Sequence, residues 1–289
     1  MRRIHSFLKQ RKEAFARVVF LVAACVCVLC VALICIYLFA SAIPAIAEIG
    51  PLKFLGGRAW HPGVGEFGIL PMMVGSLYVT AGAVAFGVPV GLLTAIYLAK
   101  FAGKRVARAL RPLIALMAGL PSIIYGFLGL VVLAPLLRNL LGSGKSILTA
   151  SLLLGIMILP TIISVSESAI RAVPAQYYEG ALALGASHER SVFFVTVPAA
   201  KSGIMAALVL GIGRAVGETM AVIMVAGNQA VLPEGILSGV RTLTANIVLE
   251  MGYATDLHRE ALIATAAVLF VFILLINFLL SLLKRRDVR

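Results

Sequence analysis

The chain has 289 residues, 61% of them hydrophobic and 13% charged, with a mean hydropathy of +1.06. Soluble domains run near half apolar and a quarter charged, so this composition excludes an ordinary soluble domain and indicates an integral membrane protein. A formal net charge of +13 would suggest nucleic acid in a soluble chain. Here the basic residues fall in short segments between apolar runs, where they set orientation in a bilayer and leave no role for nucleic acid.

Residues 1–17 form a basic N-terminal segment carrying Arg2, Arg3, Lys9, Arg11, Lys12 and Arg17, and an apolar run follows from about Val18 to Ile43. Ala45-Ile46-Ala47 resembles a signal-peptide cleavage site. A signal h-region is only about 7–15 residues long, however, so the longer run predicts an uncleaved first membrane helix. That helix and the external segment behind it occupy residues 18–69. All four cysteines, Cys25, Cys27, Cys30 and Cys35, lie in this first run with no His, Asp or Glu nearby. They read as small apolar filler, because a metal site needs thiolates with hydrogen-bonding neighbours. No cysteine falls in an external loop, which disfavours a disulfide framework.

A membrane-spanning helix takes about 20 apolar residues, and five more runs qualify, at roughly 70–99, 112–137, 147–170, 202–226 and 261–283. Together they make a membrane domain over 70–283, closed by a basic tail at 284–289. Breaks are expected at Gly87-Val88-Pro89-Val90-Gly91, Gly119-Leu120-Pro121 and Leu159-Pro160, where neighbouring helices or a cavity satisfy the freed backbone groups. Gly87/Gly91 and Gly213/Gly217 also have the small-x-x-x-small spacing that permits close helix contact.

Six crossings put both ends of the chain on one side. With the N-terminus inside, the cytoplasmic segments hold 18 Lys and Arg: six in 1–17, five in 100–111, three in 171–201 and four after 283. The external segments hold 6, namely Lys53, Arg58, Arg138, Lys145, Arg241 and Arg259. The positive-inside rule therefore predicts cytoplasmic termini. External stretches of about 25 and about 30 residues are too short to fold as an independent binding domain. No span visibly repeats another, as an inverted-repeat transporter would require.

The fifth run is apolar from about Ile204 to Ala226 except within Gly213-Arg214-Ala215-Val216-Gly217-Glu218-Thr219-Met220. An arginine near the middle of a bilayer costs at least about 2.5–3.5 kcal/mol, so such residues are rare and usually functional. Arg214 and Glu218, four apart, are expected on one helix face, roughly 6 Å from each other along the axis. One reading is an internal salt bridge that fixes helix packing and is costly to break at low dielectric. The other is a substrate pathway, with Thr219 beside the pair. Arg214 then offers positive charge to an anion midway across, and Glu218 competes for it so that the anion can leave.

Glu167 and Arg171, also four apart, read as a stabilising pair. Tyr125 and the Gly119-Leu120-Pro121 break either line a pathway or pack. His5, His61, His188 and His258 have no metal-like partner in sequence. Gly142-Ser143-Gly144-Lys145-Ser146 looks like the end of a phosphate-binding P-loop, but that motif needs a glycine five positions before Gly144, where Asn139 stands. No span carries a His/Ser/Asp constellation suited to catalysis, so the chain is not expected to be an enzyme.

Between the fourth and fifth runs lies Tyr177-Tyr178-Glu179-Gly180-Ala181-Leu182-Ala183-Leu184-Gly185, followed by Ala186-Ser187-His188-Glu189-Arg190 and ending Val195-Thr196-Val197-Pro198. Glu179 to Leu184 has helix-forming composition, and Gly185 suits the left-handed residue past a helix end. Ser187 can cap a second short helix, with Glu189 well placed in its first turn. Gly180 and Ala181 let a partner approach the backbone, and Glu179 offers it a charge. The spacing of Glu179, Gly180, Ala181, Gly185, Val195, Val197 and Pro198 resembles the cytoplasmic coupling loop of ABC importer permeases, Glu-Ala-Ala-x3-Gly-x9-Ile-x-Leu-Pro, with Gly for the first Ala, Val for Ile and Val for Leu.

The resemblance narrows further. Gly213 to Ala221 and Ala118-Gly119-Leu120-Pro121-Ser122-Ile123-Ile124-Tyr125-Gly126 are similar to motifs of phosphate-transporter permeases. Gly50-Pro51-Leu52-Lys53-Phe54-Leu55 and Trp60-His61-Pro62 favour the PstC-type subunit over its PstA-type partner, and the likeness covers the chain from about Gly50 onward. It implies an all-α, six-span bacterial inner-membrane permease of the type I ABC importer fold, its permease domain at 70–283 and its coupling loop at 177–198. It also implies a heterodimer with a PstA-type permease, a dimer of ATP-binding subunits and an external phosphate-binding protein. This chain would bind no cofactor, ATP-Mg being held by the ATPase. The coupling loop around Glu179–Gly185 would dock on that ATPase, whose closure drives alternating access. A permease for sulfate or molybdate would share the coupling loop. An ATP-independent anion channel or secondary transporter would fit the intramembrane charges but not the Glu179–Pro198 spacing.

Overall fold

The computed structural model describes residues 2–286 and is almost wholly helical. Helix α1 (Arg2–Ile49) is followed by α2 (Pro51–Gly56), a two-stranded hairpin of β1 (Trp60–His61) and β2 (Glu66–Phe67), and α3 (Leu70–Ile96). Next come α4 (Lys104–Gly119), α5 (Ser122–Leu128), α6 (Ala134–Leu141) and α7 (Ile147–Arg171). Short helices α8 (Ala175–Ala183), α9 (His188–Ser191) and α10 (Val197–Ala199) lead into α11 (Lys201–Gly217) and α12 (Met220–Val225). The chain ends with α13 (Leu243–Glu250) and α14 (Asp256–Arg286). Among the described residues, five stretches are long and apolar enough to cross a membrane: 16–49, 70–101, 122–141, 147–171 and 256–279. We take the sixth crossing as α11 continued by α12; the α9–α10 stretch ahead of it is bent away by 69°.

Helix α7 is the axis of the bundle, and small residues let α3 and α11 close on it. A Cβ at Gly87 would lie 2.8 Å from Ile158, and one at Gly91 or Gly211 would lie 2.9 Å from Ile162. The Gly87/Gly91 spacing is thus a packing seam, as expected of small-x-x-x-small pairs. Met157, Ile158 and Ile162 are buried in it with Val79 and Ala83. Pro89 and Pro160 lie inside α3 and α7 without ending them. This corrects the expected interruptions there: a lone proline removes one backbone bond, and with the tight α3–α7 seam around it both helices continue past it.

Helix α1 packs on α14, with Ala42 and Ala45 buried beside Ala261, Leu262 and Ala264 and Phe39 edge-on to Phe270 at 6.0 Å. The first helix is therefore part of the membrane domain's packing. At the end of the bundle where α7 begins, Ser146 caps the helix by accepting from the Thr149 N–H. The next free donors, the N–H groups of Ile147 and Leu148, reach the carbonyls of Ser238 and Ile236. The P-loop-like Gly142–Ser146 is accordingly a helix-to-helix turn, with Gly142 left-handed at φ 81°.

Two of the expected spans are not single helices. The 112–137 run breaks at Leu120 and Pro121, both extended, because proline's ring bars the preceding residue from the helical region. The 202–226 run breaks at Glu218 and Thr219.

Candidate functional site

The two breaks are adjacent, since α5 and α12, the half-helices that follow them, pack side by side. A Cβ on Gly126 would meet the Ala221 Cα at 2.8 Å. Each break is stapled by a hydroxyl from another turn or helix. The Tyr125 hydroxyl donates to the Met117 carbonyl at 2.7 Å, adding to the long 3.4 Å bond from the Leu120 N–H at the end of α4. The Thr244 hydroxyl of α13 donates to the Glu218 carbonyl at 3.1 Å, and the Thr219 hydroxyl to Gly217 at 3.3 Å. In a medium without water these are the bonds that make a broken helix tolerable.

The expected pairing of Arg214 with Glu218 on one helix face is corrected by this geometry. Glu218 is extended, with φ −70° and ψ 130°, so the four-residue helical register between the two residues is lost. Its carboxylate turns forward and accepts the Ala221 N–H at 3.2 Å, capping α12. That position suits an anion, because the first N–H groups of a helix carry the positive end of its dipole. Arg214 stays behind in the last turn of α11, where the uncapped carbonyls favour a cation. Its half-buried guanidinium forms no ion pair or hydrogen bond among the described residues and lies within electrostatic reach of the Tyr125 phenol. Gly119, Gly213 and Gly217 have no atom within 4 Å of where a Cβ would stand. The Gly213/Gly217 spacing is therefore not a packing seam here; both breaks open onto space this chain does not fill.

The segment at 177–198 folds as the sequence suggests. Helix α8 ends where Gly185 adopts φ +85°, with Gly185 and Ala186 N–H groups donating back to Leu182 and Ala181 at 2.9 and 3.1 Å. Ser187 then caps α9 by accepting from the Arg190 N–H. Hydrogen bonds from its own backbone N–H and from Ser187, aided by His188, hold the exposed Glu189 carboxyl below its ordinary value. No residue of α8 is buried. Glu179 and Gly180 are exposed, Ala181 is half-buried, and Leu184 beside them is 91% exposed, so an apolar tip is presented with charge next to it.

What fixes this segment to the bundle was not legible beforehand. The Tyr178 hydroxyl and His188 Nδ1 share a 2.7 Å hydrogen bond, Phe101 stands edge-on to His188 at 4.7 Å, and Lys100 lies over the Tyr178 ring at 5.4 Å. The loop is thereby tied to the end of α3 as well as to α7 and α11. Pro198 lies in α10, just before the 69° bend into α11.

Two ionic clusters complete the molecule. At the end opposite α8, Glu250 is 7% exposed and binds Arg241 at 2.5 Å, Trp60 Nε1 at 2.8 Å and His258 at 2.9 Å. Arg241 also donates to the Asn246 side chain and the Asn228 carbonyl. This cluster locks the hairpin and the 227–240 loop onto α13 and α14. Its hydrogen-bonded partners lie up to 190 positions apart, beyond the reach of a local pattern. At the α8 end, Glu167 meets Arg171 at 2.8 Å as expected, and Arg111 of α4 joins the same oxygen at 2.7 Å. Among the described residues no group of three or more His, Cys, Asp and Glu is placed to hold a metal.

Comparison with known proteins places this architecture. Residues 87–287 match the family described as the binding-protein-dependent transport system inner membrane component. The chain is 40% identical over 243 residues to the probable ABC transporter permease protein YqgH of Bacillus subtilis (strain 168), covering 81% of this chain and 79% of that protein. It is 34% identical over 290 residues to the phosphate transport system permease protein PstC of Haemophilus influenzae, covering 93% and 89%. In fold it is similar to an inward-facing form of the MetNI methionine ABC transporter, with a TM-score of 0.60 at 21% identity over 80% of this chain and 100% of that one. The chain thus belongs to the binding-protein-dependent transport system inner membrane component family and is a multi-pass inner-membrane permease of the type I ABC importer fold.

Proposed function

We propose that the chain is the PstC-type half of an ATP-driven importer that carries inorganic phosphate through the membrane by alternating access. The observation that carries this reading is Arg214: an intramembrane guanidinium without a counter-ion among the described residues, at a helix break that opens on unfilled space. A planar fork suits a phosphate oxyanion bidentately. Relatives such as the Haemophilus influenzae protein are named phosphate permeases, which supports phosphate over sulfate or molybdate. Glu218 and Thr219 shape the break beside Arg214, and the carboxylate, committed to capping α12, keeps the anion from being held too tightly.

In this reading both termini are cytoplasmic. The exposed tip formed by Glu179, Gly180, Ala181, Leu184 and Gly185 docks on an ATP-binding subunit, one of a dimer that holds ATP-Mg and hydrolyses it. A PstA-type permease fills the space in front of the two breaks, and an external phosphate-binding protein delivers the cargo. Closure of the ATPases moves α8–α10 and, through Pro198 and the 69° bend, swings α11 and the Arg214 break.

The test is uptake by proteoliposomes holding this chain, the second permease, the ATPase and the binding protein. ATP-dependent phosphate accumulation is expected. Sulfate or molybdate uptake in its place would replace the substrate assignment, and phosphate uptake by this chain alone, without ATP, would overturn the reading.

A further inference from the structure

Arg111 and Arg171 converge on a single oxygen of Glu167. Arg111 reaches Oε1 through Nε at 3.1 Å and Nη2 at 2.7 Å, and Arg171 reaches it through Nε at 2.8 Å. Arg171 places its other arm on the Leu98 carbonyl at 2.7 Å. One carboxylate neutralises only half of two like charges held this close, so the triad keeps a surplus of one positive charge. Each guanidinium carries five N–H donors, of which two are engaged in each case.

The unused donors are not packed away. The Arg111 and Arg171 side chains are 47% and 45% exposed, against 11% for Glu167. They face a cleft of about 350 Å³ that is also lined by the hydroxyl-bearing Ser164 and Ser168. The buried carboxylate fixes the two forks from beneath and leaves their open edges toward the cleft. A purely structural brace would bury the guanidiniums or match their charge; this one does neither. Lys104 and Arg108 stand two turns and one turn before Arg111 on the same face of α4, which deepens the positive potential.

The cleft lies at the α8 end of the bundle, since Arg171 closes α7 just before α8 and Leu98 belongs to the turn that carries Lys100 and Phe101. It shares no lining residue with the break at Arg214.

We propose that this cleft is a second anion site that takes a phosphate group between the Arg111 and Arg171 guanidiniums, with Ser164 and Ser168 donating to a further oxygen. Paired arginine forks match the oxygens of phosphate, whether free inorganic phosphate or the phosphodiester of an anionic lipid head, and basic pockets between helices at a membrane surface bind such heads. The inference does not depend on phosphate being the cargo, because it rests on the cleft alone.

The experiment uses the full chain in phosphatidylcholine nanodiscs, in an Arg214→Gln background so that the helix break contributes no phosphate binding. One arm titrates radiolabelled inorganic phosphate; the other dopes the disc with phosphatidylglycerol and counts retained lipid by native mass spectrometry. Arg111→Gln is expected to weaken retention roughly tenfold, one lost charge-assisted contact. Glu167→Gln is expected to strengthen it several-fold while lowering thermal stability, since it removes the competing carboxylate; a brace alone would lose stability without gaining affinity. Should Arg111→Gln fold poorly, Arg111→Lys keeps the charge without the fork and is expected to weaken retention less than Gln does. That pattern with phosphate assigns the site to the free anion, and with phosphatidylglycerol to the lipid head. Retention unchanged by all three substitutions in both arms overturns the proposal.

Discussion

Two helices of the membrane domain stop in mid-course, after Gly119 and after Gly217, and restart after a gap of two residues as half-helices that pack on each other. The first break is made by sterics: Pro121 forces Leu120 extended, and a tyrosine hydroxyl from the next turn gives the Met117 carbonyl a second, shorter hydrogen bond. The second has no proline. There Glu218 is drawn out of the helix by capping the one that follows, and a threonine from α13 takes up its carbonyl. The same geometry is thus reached by an apolar route and by a charged one. Only the charged route leaves an arginine, Arg214, at the edge of the break. The Arg214 side chain takes part in none of the hydrogen bonds that shape either break, so its charge is not needed for the shape. It is available for a ligand.

The largest effect should come from removing that charge. Arg214→Gln is expected to cut ATP-driven phosphate uptake by the assembled importer roughly 10- to 100-fold, the worth of one or two charge-assisted contacts. The purified protein should unfold at an unchanged temperature, because no ion pair is lost. Arg214→Lys should assemble normally and still transport poorly, since it lacks the bidentate fork. Wild-type uptake by Arg214→Gln would make the second break as structural as the first.

Next in size is the contact that holds the two breaks together. Gly126→Val places methyl groups where Ala221 already stands, and overpacking of this kind costs about 1–3 kcal/mol. Thermal unfolding in detergent should register it, and crosslinks between cysteines placed on α5 and α12 should be lost. Unaltered crosslinking would mean that the half-helices do not rely on that seam. Smaller still are the hydroxyl staples: Tyr125→Phe and Thr244→Val should each cost about 0.5–1.5 kcal/mol. If Tyr125→Phe alone impaired transport at full stability, the proline-made break would also belong to the pathway.

How much of this could be read in advance depended on how local each cause is. Gly185 and Ser187 announce their roles within a few residues, and α8 and α9 begin and end as their chemistry dictates. The breaks were half legible. Pro121 was flagged, but Pro89 and Pro160 carry the same local signal and leave α3 and α7 intact, because only tertiary packing decides whether a proline's missing bond is tolerated. Arg214 was conspicuous as an intramembrane charge. Its separation from Glu218 was not, since four-residue spacing implies a pair only while the helix continues. Arg111 and Trp60 escaped notice because their bonds to Glu167 and Glu250 join residues 56 and 190 positions apart, and Arg241 and His258, nine and eight positions from Glu250, match no three- or four-residue helical spacing.

The smallest effect expected separates the 177–198 segment from the membrane interior. Glu189 sits in the first turn of α9, and its carboxyl is held below its ordinary value by its own backbone N–H and the Ser187 hydroxyl. A carboxyl whose folded value is depressed contributes stability that is fully present above its unfolded value, near about 4.3 for glutamate. That contribution is lost only as pH falls through the lower folded value. The α9 cap should therefore persist at acidities that protonate ordinary exposed glutamates, and then fray. Following the Glu189 carboxyl carbon by NMR during acid titration should give a midpoint that rises in Ser187→Ala, which removes one of those hydrogen bonds, with amide exchange of Arg190 and Ser191 rising in parallel as the carboxyl protonates. Glu189→Gln should remove the acid dependence of that exchange while leaving phosphate uptake at neutral pH intact. A Glu189 midpoint unmoved by Ser187→Ala would show that the segment is not preorganised by its own cap.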